Sequence, residues 1–121
     1  MTKPRLSTTR ELYGILGAHP QASTLQREMN AIFDAEGIDA FCDRYPTNVD
    51  QIPERLSEMF HFDRRAYIVG SKLQEAILPL LDVVDTSGAV DLVLNKGGVL
   101  TGYSFDDIST EGVLKFVEAN K

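Results

Sequence analysis

Apolar residues along the chain alternate between two rhythms, one suited to strands and one to helices. Glu11–Gly17 (ELYGILG) is a short apolar run closed by glycine and predicts a buried strand. After the polar AHPQA loop, Leu25, Met29, Ile32, Phe33 and Glu36 recur at helical spacing, with Gly37 at a natural C-terminal stop. Ser23 and Gln26, ahead of that stripe, have the spacing of a capping box. Ile38 to Tyr45 predicts a second strand, ended by Pro46. Asp50 and Pro53 open a second helix whose stripe is Ile52, Leu56, Met59 and Phe60. Ala66–Lys72 (AYIVGSK) predicts a third strand. Gln74 to Asp82 predicts a short helix with Ala76, Ile77, Leu80 and Leu81 inward. VDLVLNKGGVLTGY predicts two strands joined at Asn95-Lys96-Gly97-Gly98, a turn with the positive-φ residues of a hairpin. Ser109 and Glu111 open a last helix carrying Val113, Leu114, Phe116 and Val117.

The predicted order is therefore β-α-β-α-β-α-β-β-α. Helices that alternate with strands imply an α/β, three-layer domain: a mainly parallel sheet plus one antiparallel hairpin, with helices on both faces. Residues 1–10 are polar with one early proline and read as a flexible lead-in, and residues 11–121 as one domain.

Composition narrows the function classes. The net charge is −6 with acidic residues scattered and no basic stripe, which argues against nucleic acid. An anionic ligand gains nothing from that overall charge, so a carboxylate site here must work locally. No apolar run reaches the length of a membrane span, and the N-terminus lacks the apolar core of a signal peptide. The single cysteine, Cys42, has no internal partner and falls in a strand, where a small apolar filler is expected. These features point to a cytoplasmic setting. His19 and His61 lie in different loops without ligands at metal-like spacing, so no metal is expected.

The segment from Ile77 to Asp107, ILPLLDVVDTSGAVDLVLNKGGVLTGYSFDD, resembles the second half of the substrate-binding domain of shikimate dehydrogenases, where PLLDxVD leads into GAVN, a hairpin and GYNTD. The resemblance extends from about Tyr13 to Asp106: YGILG parallels the opening strand, and Asn30 and Phe33 fall in an HNxxF-like signature. It implies that family's substrate domain, without its nucleotide-binding domain. No G-x-G-x-x-G follows a strand, so no cofactor is expected on this chain, and NADP would enter only through a separate partner.

The resemblance also implies where chemistry would lie. In the family's G-x-P-x-x-H-S-x-S-P loop two serines hold the substrate carboxylate; here GAHPQASTLQ keeps the first as Ser23 and puts Leu25 at the second. Ser23 thus fits either a helix N-cap or half of a carboxylate clamp. Losing one hydrogen bond to a charged group costs about 1.5–3 kcal/mol, roughly a tenfold to hundredfold weakening. The NVTxPxK strand places the family's proton-handling lysine at Gln74, an amide that neither gains nor loses a proton near neutral pH. Lys72, two residues away, is the candidate substitute. GAVN becomes GAVD, with Asp91 for the binding asparagine; GYNTD becomes GYSFD, with Ser104 for asparagine and Asp106 retained at the second catalytic position. The expected site is thus Lys72 and Asp106 as catalytic groups, with Ser23, Gln74, Asp91 and Ser104 lining the substrate. Three readings follow: a stand-alone binding domain for a shikimate- or quinate-like ligand, not catalytic alone; the substrate half of a split dehydrogenase with a separate Rossmann partner; or a regulatory or interaction module, including a homodimer.

Overall fold

The structure is a computed structural model that describes residues 10–86, 88–105 and 108–120. Its strands are β1 (Glu11–Leu16), β2 (Ala40–Tyr45), β3 (Arg64–Val69), β4 (Val83–Asp85), β5 (Leu92–Lys96) and β6 (Val99–Tyr103). Its α-helices are α1 (Ala22–Ala35), α2 (Ile52–His61) and α3 (Thr110–Ala119). The strands form one sheet in the order β2-β1-β3-β5-β6-β4. β5 pairs antiparallel with both β3 and β6, while β1–β2, β1–β3 and β4–β6 are parallel, so β5 alone runs against the rest.

Alternation along the central strands feeds two apolar layers, as a sheet covered on both faces requires. Tyr13, Ile15, Ala66, Ile68, Leu92 and Leu94 pack under α1 and α3, against Leu25, Met29, Phe33, Val113 and Val117. On the other face Leu16, Tyr67, Val69 and Val93 meet Ile52, Leu56 and Met59 of α2, with Leu73 and Ile77 from the following segment. The expected three layers are present.

The β5–β6 hairpin turns on Gly97 and Gly98, both at positive φ, as its sequence predicted. Asn95 fixes it from beneath: its Oδ1 accepts from the Gly98 N–H at 2.8 Å and its Nδ2 donates to the Met59 carbonyl at 3.2 Å.

Four local expectations are corrected. Gln74 to Asp82 is not an α-helix; 3₁₀ turns occupy Ser71–Leu73 and Leu78–Leu80, and the chain then enters β4. Pro79 has no N–H to donate, and the nearby bonds close over three residues, from Leu78 to Glu75 and from Leu80 to Ile77. Leu80 consequently points outward, 44% exposed. Ser23 does not cap α1: the helix starts at Ala22 with Gln21 at the cap position and no side-chain cap bond, so Ser23 is already inside the first turn. Phe60 leaves the α2 stripe and is 56% exposed. The second strand starts at Ala40, and Ile38 lies in the turn before it. Residues 1–9 of the expected lead-in lie outside the described residues, and Arg10 is anchored by Asp39 at 2.9 Å.

Candidate functional site

The chain leaves β1 to build β2 on one side and returns to build β3 on the other, so the loops after β1 and β3 diverge above neighbouring strand ends. Crevices at such switch points, outside the carboxyl ends of strands, are the usual ligand sites of open α/β sheets. Here the two loops begin in close contact. The Gly70 N–H donates to the Leu16 carbonyl at 2.8 Å, and a Cβ at Gly70 would stand 2.6 Å from the Ala18 carbonyl oxygen. Only glycine fits that approach.

Three of the expected site residues lie near these strand ends, each already engaged. Gln74, half-buried, donates from Nε2 to the Val69 carbonyl at 3.1 Å, and its own backbone carbonyl accepts from the Val90 N–H at 3.1 Å. Asp91 accepts at Oδ1 from the Phe105 N–H at 2.7 Å, while its backbone joins Val69 to Tyr103. The Ser104 hydroxyl donates to the Ala89 carbonyl. Gln74, Asp91 and Ser104 therefore form one knitted wall at the ends of β3 and β6. Ser23 and Lys72 are elsewhere on the rim. Ser23, exposed, accepts from Arg44 Nη1 at 3.0 Å. Lys72, also exposed, lines a cleft of about 170 Å³ with Ala18, Thr47 and Gly70. Asp106 lies outside the described residues.

Two mouth residues escaped the sequence reading in this role. Arg44, near the end of β2, lines a neighbouring hollow of about 330 Å³ together with Ala18 and Thr47, residues it shares with the Lys72 cleft. Arg44 and Lys72 thus line two hollows that meet at Ala18 and Thr47, each bringing a cation on a chain of net charge −6. His19, in the loop after β1, accepts at Nδ1 from the Gln21 N–H at 3.1 Å, which leaves the ring proton on Nε2 while the imidazole is neutral. Partial burial holds His19 below the usual imidazole range, and the charge of Asp91 works in the opposite direction.

Arg44 and Ser23 offer N–H and O–H groups of the kind that suit an anion, and Asp91 a carboxylate of the kind that suits hydroxyl groups. The arrangement offers no proton carrier at residue 74. Among the described residues no cluster of three or more His, Cys, Asp or Glu could hold a metal ion, and no helix is long and apolar enough to cross a membrane.

No model of a known protein family matches the chain. Individual proteins do. The chain is 33% identical over 107 residues to the shikimate dehydrogenase (NADP(+)) of Geobacter sp. strain M21, covering 84% of this chain and 37% of that enzyme. It superposes on the shikimate 5-dehydrogenase of Thermus thermophilus, solved with shikimate, at a TM-score of 0.68 and 30% identity, over 90% of this chain and 42% of the other. The ligand-free 5-ketofructose reductase of Gluconobacter sp. strain CHM43 shares the fold at a TM-score of 0.74 and 18% identity, over 95% and 42% of the two chains. The chain thus spans well under half the length of each of these three proteins.

Proposed function

We propose, for a chain homologous to the shikimate dehydrogenases over 84% of its length, that it is a substrate-binding unit which holds a small polar carboxylate without passing a proton through residue 74. The observation that carries this reading is the Gln74 side chain, an amide tied to the Val69 carbonyl at 3.1 Å. An amide offers hydrogen bonds but no titrating proton near neutral pH. General acid–base help contributes about 10²–10⁴ in rate, so a site without it retains recognition and loses most of its turnover.

The carboxylate sits beside Arg44 and Ser23, where Arg44 Nη1 already donates to the Ser23 hydroxyl at 3.0 Å and the rest of the guanidinium can offer paired donors. Lys72 supplies a second cation from across Ala18 and Thr47. The ring hydroxyls of a shikimate- or quinate-like ligand face Asp91 and Ser104, with Asp106 as the acceptor that the family resemblance supplies. NADP is not held by this chain; its chemistry would come only with a separate nucleotide-binding partner.

Isothermal titration with shikimate, quinate and dehydroshikimate tests the reading. Saturable one-to-one binding of at least one of these acids, weakened by Arg44→Ala, supports it. No heat from any of the three refutes ligand binding, and NADP-dependent oxidation of shikimate by the isolated chain refutes the loss of catalysis.

A further inference from the structure

The amino end of the sheet, away from the mouth, carries a second concavity. α1 and α3 flank a groove of about 400 Å³ over the start of β1, a volume within the range of about 300–1,000 Å³ common for small-molecule sites. Its floor is apolar. The Tyr13 and Phe33 rings lie 5.3 Å apart and tilted by 38°, with Ile38 and Leu114 beside them. Its rim is acidic: Glu36 follows α1, while Glu111 and Glu118 come from α3. Glu11 completes the rim and is bridged by Arg65; Lys115 is the one cation among the lining residues.

Tyr13 is the second observation. It is only 8% exposed, it lines this groove, and among the described residues its hydroxyl has no hydrogen-bond partner. Burial, then the charge of Glu11, holds its phenol well above the ordinary range, with Arg65 opposing and Glu118 adding to the rise. The hydroxyl is therefore neutral and keeps lone pairs that can accept from a cationic N–H.

We propose that this groove binds a small organic cation, an ammonium joined by a short chain to an aromatic or branched aliphatic body. The body covers the Tyr13–Phe33 floor, and the ammonium lies between the Tyr13 oxygen and the carboxylates of Glu36 and Glu111. Aromatic faces and carboxylates both attract such a charge. An anionic acid of the kind proposed for the mouth is repelled here, so the two sites select ligands of opposite sign. A second copy of the chain, itself at −6, would bring like charge to an acidic rim.

Nitrogen-edited NMR titration with phenethylammonium, 2-phenylethanol and 3-phenylpropionate tests the proposal on the intact chain. The expected result is saturable shifts centred on Tyr13, Phe33, Ile38 and Leu114 with the amine, at least tenfold weaker binding of the alcohol, and none of the acid. Glu36→Gln with Glu111→Gln should weaken the amine at least fivefold while leaving the alcohol unchanged, and a thermal melt of that exposed double variant checks its fold. Equal affinity for amine and alcohol, shifts centred on the mouth, or self-association that protects the groove would each overturn the proposal. Failure here is separable from failure of the carboxylate reading, because the ligands and the responding residues differ.

Discussion

Asn30 reaches from α1 to the edge strand β2 and treats Cys42 as a neighbouring strand would. Its Nδ2 donates to the Cys42 carbonyl at 2.9 Å, and its Oδ1 accepts from the Cys42 N–H at 2.7 Å. Asn30→Ala removes both bonds from a residue with no exposed surface. Each such bond contributes about 0.5–1.5 kcal/mol net, so the pair is expected to cost about 1–3 kcal/mol. The upper half of that range is favoured because Cys42 is wholly buried and water reaches its backbone poorly. For a domain of this size each kcal/mol lowers Tm by roughly 4 °C, which predicts a drop of ~8–12 °C. Urea unfolding followed by circular dichroism measures the loss directly, with the slope m unchanged if only the native contact is affected. Asn30→Leu, which fills the same space, separates hydrogen bonding from packing and should cost about as much as alanine. A loss below ~0.5 kcal/mol in both variants would refute the reasoning, because water would then replace the clamp at no cost. The site shares in this contact, since Arg44 stands two residues further along the strand that Asn30 holds.

Other outcomes follow from single contacts. Burial, with a smaller contribution from Asp43, pushes the Cys42 thiol up to about 12; at pH 8 it should resist a thiol-labelling reagent until urea unfolds the chain, and rapid native labelling would contradict the packing. Burial works against ionisation of Glu58, but hydrogen bonds from Arg64 and Arg55 outweigh it and hold the carboxyl below its usual range. A folded value lower than the unfolded one gives stability that is present above the unfolded value, about 4.3, and is lost as pH falls through the folded one. Glu58→Gln should therefore cost about 1 kcal/mol at pH 7 and progressively less below pH 4, as read from urea midpoints. A Cβ at Gly102 would lie 2.5 Å from Leu81 Cδ1 and 2.8 Å from Val90 Cγ2; Gly102→Ala should cost about 1–3 kcal/mol through overpacking, checked by thermal melting. Ser23→Ala should weaken a carboxylate ligand tenfold or more without lowering Tm, because Ser23 caps nothing.

What the chain's pattern made legible is what depends on neighbours in sequence. The stripes of α1 and α2 and the hairpin glycines are local signals, and Leu25, Met29, Phe33, Leu56 and Met59 are buried as their spacing implied. The stretch from Gln74 misled for a related reason: LPLL satisfies a helical period, yet Pro79 denies it the bonds and the chain settles into 3₁₀ turns. β4 was illegible because both Val83 and Val84 are exposed at the sheet's edge, so no alternation marks three residues as a strand. Ser23 shows the boundary most clearly. Its capping spacing is present, but the helix begins one residue before it, and its hydroxyl is left for Arg44, 21 positions away. No local pattern could have paired those two residues, since each reads on its own as a solvated position. The same limit applies at Gln74, where the sequence reveals an amide and only the fold shows it bonded to the Val69 carbonyl. A lysine at residue 74 could keep that carbonyl with one of its three N–H donors and turn the others to a ligand.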